Sequence, residues 1–156
     1  MRWLLLVAAT VASVACTPNA QPATSSSATV PVGVPVQRVD LNLGANGPLQ
    51  GTFGVLAGYA PNPATVAVGT VIVFHNSEGF PHTASAITGG TFPAASPFTL
   101  AALQPSGARL SQGQWSSGEL QPGASSQPLT ADAPGAYLYG CFFHYGSPMR
   151  GVLVVK

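Results

Sequence analysis

"GAYLYGCFFHYGSPMRGVLVVK", residues 135–156, decides how this chain folds. Two runs rich in strand-forming residues, "GAYLYGCFF" and "GVLVVK", flank a short segment holding Gly146 and Pro148. β-branched and aromatic side chains suit a pleated surface, and Gly and Pro punctuate the chain at turns. The stretch therefore reads as a strand beginning after Pro134, a tight loop, and a closing apolar strand.

The same grammar extends upstream. "VQRVDLNL", 36–43, alternates and reads as a first strand. "ATVAVGTVIVFHN", 64–76, predicts two strands hairpinned about Gly69. "SSGELQPGASSQPLT", 116–130, has strand and turn chemistry, with Pro122-Gly123 as a turn. The chain carries 18 Gly and 15 Pro, too many for a mainly helical protein of 156 residues. The fold class expected is all-β, a sandwich or barrel. Residues 86–114 are long and weakly patterned, a loop insertion in which only "TLAALQ" suggests a short helical turn.

Charge is sparse: five Lys and Arg, four Asp and Glu, net charge +1. That speaks against nucleic acid or an acidic membrane surface as the partner, because both need basic clusters. "MRWLLLVAATVASVAC" has one positive charge, an apolar stretch and a small-residue exit, the layout of a signal peptide over 1–15. "SVAC" resembles a bacterial lipobox ending at Cys16, with Ser13 where that motif has an aliphatic residue. Cleavage after Ala15 without lipidation is the alternative. Residues 16–35, rich in Ser, Thr, Pro and Ala and without charge, read as a flexible tether. The domain proper is expected over 36–156, outside the cytoplasm and tied to a membrane if Cys16 is acylated.

The loop after the penultimate strand gathers Cys141, His144 and Met149. Beyond residue 16 these are the only cysteine and the only methionine. A loop turning back on itself brings thiolate, imidazole and thioether towards one point. Thiolate and thioether are soft donors that suit copper. Structural zinc wants four strong ligands, and an iron–sulfur cluster wants several cysteines. A fourth donor must come from His75 or His82. His75 lies within an alternating strand, whereas His82 follows Gly79, Phe80 and Pro81 at a bend, so His82 is the choice. The plainer reading, a buried free cysteine beside an ordinary histidine, leaves the gathering of donors unexplained.

These residues resemble the cupredoxins, the blue-copper family that includes plastocyanin and pseudoazurin. Cys141, two residues, His144, four residues, Met149 has the plastocyanin-like spacing. "GFPHT" resembles the segment giving the upstream histidine, and "YAPNPATVAVGTVIVFHN" the hairpin before it. The likeness covers about 36–85 and 115–156. Gly140 departs from the tyrosine that plastocyanin usually has before its cysteine.

The resemblance implies a Greek-key β-sandwich or barrel and one copper ion cycling between Cu(I) and Cu(II). His82, Cys141 and His144 would form the trigonal plane, with Met149 as a long axial ligand. It implies a monomeric electron shuttle rather than an enzyme. Redox proteins would dock on an apolar face around His144 formed by Phe143, Tyr145, Gly146 and Pro148. The rival reading is a periplasmic copper chaperone or store, against which the closed single-cysteine loop argues. A catalytic copper site would need more histidines than this chain offers.

Overall fold

The computed structural model describes residues 32–156. The expected signal segment, Cys16 and the tether up to residue 31 lie outside the described residues. In chain order the strands are β1 (Val36–Leu41), β2 (Leu49–Gly51), β3 (Gly54–Leu56), β4 (Tyr59–Ala60), β5 (Ala64–Val66) and β6 (Val71–Asn76). There follow β7 (Ser85–Ile87), β8 (Pro105–Ser106), β9 (Ser116–Ser117), β10 (Leu129–Thr130), β11 (Gly135–Gly140) and β12 (Arg150–Val155).

Two sheets form a sandwich and do not close into a barrel. One has the order β10-β6-β1-β4, the other β5-β12-β11-β7-β9-β8; β2 and β3 make a separate hairpin. Between the sheets Val39, Leu41, Ile72, Phe74 and Leu129 meet Tyr139, Leu153 and Val155 in one apolar core. In β1 the alternation is visible, with Val39 and Leu41 buried and Arg38 exposed.

The closing strand "GVLVV" does not alternate, because both faces of its sheet are covered. Tyr139 and Leu153 face the main core, while Leu138 and Val152 point the other way. There they join Leu56 and Tyr145, with Phe53, Phe92 and Phe98 packed against them. The β2–β3 hairpin and the 88–99 segment therefore seal the outer face. This is the structural role of much of the expected insertion. Residues 86–114 are also more ordered than a loop: β7 ends within them, 3-10 turns run over Leu100–Leu103 and Leu110–Gln112, and β8 extends the sheet edge.

The turn at Gly69 departs from the expected hairpin. Gly69 has φ of +89°, a left-handed value that Gly adopts without steric cost. Yet β5 pairs with β12 and β6 pairs with β1, both parallel. The chain thus arches from one sheet to the other, and the two strands are not partners. Trp115 is buried in the apolar core, 2% exposed. Its ring stacks on Phe74 with centroids 5.7 Å apart.

Candidate metal centre

Strands β11 and β12 pair from Gly135↔Val155 to Gly140↔Arg150, so the intervening loop starts and ends at one point. The Cys141 amide donates to the Met149 carbonyl at 3.1 Å and closes the loop's mouth. Inside it, the Ser147 and Met149 amides both donate to the His144 carbonyl, at 2.9 and 3.1 Å. Three of the expected donors thus sit on a loop whose backbone is fixed by its own hydrogen bonds.

The fourth arrives from the segment between β6 and β7. His82 exchanges backbone hydrogen bonds with Leu120, its amide donating at 3.1 Å and its carbonyl accepting at 2.8 Å. This pins the residue just beyond the Pro81 bend. Its ring is fully buried, with Nδ1 3.7 Å from Cys141 Sγ. His144 Nδ1 lies 3.6 Å from the same sulfur. The donor atoms of His82, Cys141 and His144 all fall within 4.8 Å of one another. Met149 is fully buried in the same apolar core as Cys141. His75 stands apart, its Nδ1 2.9 Å from Ser125 Oγ.

The separations suit a shared ion. A first-row metal about 2.3 Å from sulfur and about 2.0 Å from nitrogen, in a trigonal plane, sets the two donors roughly 3.7 Å apart. The observed 3.6 and 3.7 Å match that spacing without rearrangement. Gly58 supplies a second mark of fit. A Cβ there would fall 2.5 Å from Met149 Cγ and 3.2 Å from its Sδ, so glycine leaves the space in which the thioether lies.

Burial and the surrounding amides set the electrostatics of the donors. Burial pushes the Cys141 thiol pKa up, while amides from Thr83, His144 and Phe143 pull it back down. The Thr83 amide donates to Sγ at 3.5 Å. Burial lowers the pKa of His144, as does the neighbouring His82, with Glu78 opposing them. A neutral imidazole is the ligand form.

The site contains partners that sequence reasoning did not single out. Thr83 is fully buried; its hydroxyl accepts from the Phe142 amide at 2.8 Å and its carbonyl accepts from Tyr59 Oη at 2.7 Å. Glu78 reaches His82 Nε2 at 2.8 Å. Its signal was present, since it is one of only four acidic residues and lies four positions before the histidine. Tyr145 corrects an expectation. It is 2% exposed rather than part of a docking face. Its hydroxyl donates to the Pro93 carbonyl at 2.7 Å, and the Arg150 guanidinium lies 4.1 Å above its ring.

The same packing accounts for Gly140. A Cβ there would lie 3.1 Å from Tyr145 Cδ2 and 3.2 Å from the Met149 carbonyl. A side chain at 140 would crowd both groups. Phe80 covers the two imidazoles instead, its ring centroid 4.9 Å from His82 and 5.3 Å from His144. An open depression lined by Phe80, Pro81, Glu119, Phe143 and His144 lies over this end of the molecule.

An all-β sandwich that brings one cysteine and two histidines around a single point, beside a buried methionine, is a cupredoxin-type copper site. The sequence profile of the copper-binding proteins of the plastocyanin/azurin family matches residues 49–156, and the chain belongs to that family. No curated protein matches it. Among solved structures, a purple cupredoxin from Nitrosopumilus maritimus is 20% identical, covering 76% of this chain and 98% of its own, with a TM-score of 0.48. A mutant fern plastocyanin is 21% identical, covering 77% of this chain and 100% of its own, with a TM-score of 0.49. An auracyanin from Roseiflexus castenholzii is 20% identical over 78% of this chain and 96% of its own, with a TM-score of 0.45. The family and the donor set agree on copper as the cofactor, in one type 1 site.

Proposed function

We propose that this protein is a one-electron carrier whose copper would be held by His82, Cys141 and His144, with Met149 as a weaker fourth donor. The observation carrying the proposal is the convergence of one thiol and two imidazoles within 4.8 Å on backbone that is already hydrogen-bonded in place. Bound copper supplies a Cu(I)/Cu(II) couple, and the chain's task is to keep the donors still while the charge changes. Thr83 orients the sulfur through its amide. The loop bonds to the His144 carbonyl hold that ring's backbone. Phe80 packs against both rings. Outer contacts of this kind tune the couple as well as the ligands themselves.

The partly exposed His144 edge, with Phe80 and Phe143 at 41% and 42% exposure, forms the apolar face on which redox partners would dock. Phe143 remains in that face; Tyr145 does not. We read the chain as a carrier rather than a catalyst, exported by residues 1–15 and monomeric. A lipidated Cys16 and the 16–35 tether would hold it near a membrane. The buried, preformed donor set gives no support to a chaperone, which must pass its metal on.

Loading with Cu(II) tests the reading. Wild type should develop an intense visible thiolate-to-copper band that a mild reductant bleaches and an oxidant restores. Cys141→Ala and His82→Ala should lose the band, and His75→Ala should keep it. A colourless protein that retains Cu(I) tightly would turn the assignment towards copper storage.

A further inference from the structure

Glu78 is the one carboxylate built into the centre. Its Oε2 lies 2.8 Å from His82 Nε2 and accepts from the Leu43 amide at 2.6 Å; its Oε1 accepts from the Gly44 amide at 3.0 Å. A Cβ on Gly44 would sit 3.0 Å from Oε1, so glycine permits the close approach. The turn is also held from within. Asn76, fully buried, accepts the Glu78 amide at 2.9 Å and donates to the Phe80 and Leu120 carbonyls at 2.8 and 2.9 Å. Glu78 is thus fixed at both its backbone and its carboxylate, on a turn that runs into the Pro81 bend.

Two physical consequences follow. A carboxylate held by two backbone N–H groups is kept ionised and has no proton to give, so the hydrogen bond to His82 needs the imidazole proton on Nε2. The lone pair then belongs to Nδ1, the atom facing Cys141 Sγ. The second consequence is charge. Among the described residues the only ion pair made by a Lys or Arg is Arg38–Asp40, so no Lys or Arg neutralises this carboxylate. Its negative charge would be felt by a metal on Nδ1 through a buried imidazole, where screening is weak. Carboxylate–histidine–metal arrangements fix the tautomer and raise the basicity of the ligand. The oxidised site carries one more positive charge than the reduced one and gains more from that field.

We infer that Glu78 is a positioning residue of the metal centre: it selects the Nδ1-ligating tautomer of His82 and biases the couple towards the oxidised form. The inference rests on the copper-carrier reading above, although its first half concerns the chain alone.

The experiment has two arms. In copper-free wild type, nitrogen NMR of the imidazoles should show His82 protonated on Nε2; protonation on Nδ1 overturns the inference whatever metal the protein binds. In copper-loaded protein, Glu78→Gln replaces the charge but keeps an amide oxygen facing Nε2. It should retain the visible band and favour the reduced form about tenfold relative to wild type, an upward shift of about 59 mV for a one-electron couple. Glu119→Gln, an exposed carboxylate at the same end of the molecule, should shift the couple by less than about twofold. A Glu78→Gln shift no larger than that of Glu119→Gln, or one in the opposite direction, overturns the inference. Absence of the band from wild type would sink the copper reading instead, and the first arm would still decide the tautomer.

Discussion

At the scale of single residues, Gly58 and Met149 are made for one another. Gly58 has φ of +77°, and the atom it lacks would overlap the Met149 side chain. Gly58→Ala therefore carries both left-handed strain and a displaced thioether. A loss of about 2 kcal/mol is expected, within the range for a non-glycine residue held in that region. Urea unfolding of the copper-free protein measures it, and the visible spectrum of the loaded protein should change as well. Met149→Leu isolates the sulfur, because the two side chains have similar volume. It should unfold within about 1.5 kcal/mol of wild type, keep the visible band, and move the reduction potential upward as a weak donor is lost. An unchanged potential would mean that the thioether is packing alone.

At the scale of elements, the ligand loop is braced from outside as well as within. Tyr145 is clasped by the Pro93 carbonyl, by Arg150 and by an edge-on Phe98 ring 5.7 Å away. Residues 88–99 thus form a brace on the loop that carries His144. Tyr145→Phe removes a single hydrogen bond, worth about 1 kcal/mol, and leaves the ring. Amide exchange at Ser147 and Met149 should quicken, while exchange in β6 stays at the wild-type rate. Uniform quickening would show that the bond stabilises the whole fold rather than the loop.

The elements also show which parts of the molecule a sequence reveals. Strands β1, β6, β11 and β12 were legible because their apolar patterning and bounding turns are local. Cys141, His144 and Met149 were legible because three donors share one loop. His82 could be singled out because Pro81 restricts the approach to it. What stayed hidden depends on contacts between distant parts of the chain. The two strands about Gly69 look like a hairpin, and only their partners, β12 and β1, send them to different sheets. Trp115 is flanked by polar residues and gives no sign that Phe74 covers it. Glu78 lies near His82 in sequence, but its other partners, Leu43 and Gly44, are about 35 residues away.

For the molecule as a whole, the charge count sets how it should meet other proteins. With five cations and four anions in the chain, long-range steering is weak. The face around His144 is apolar, so contact should come from burying Phe80 and Phe143. Electron self-exchange between oxidised and reduced copies measures this without a known partner. Its rate should vary by less than about threefold between about 20 mM and about 500 mM salt, a range over which exposed charges are progressively screened. Phe143→Glu should slow it at all ionic strengths. A steep salt dependence in wild type would show that charge, and not this face, governs the encounter.

The central claim is that one copper ion sits where Cys141, His82 and His144 converge. Anomalous diffraction at the copper edge, from crystals of the loaded protein, addresses it most directly. The account predicts a single strong peak bonded to Cys141 Sγ and to the Nδ1 atoms of His82 and His144. A peak at His75, or one not bonded to the sulfur of Cys141, would contradict it.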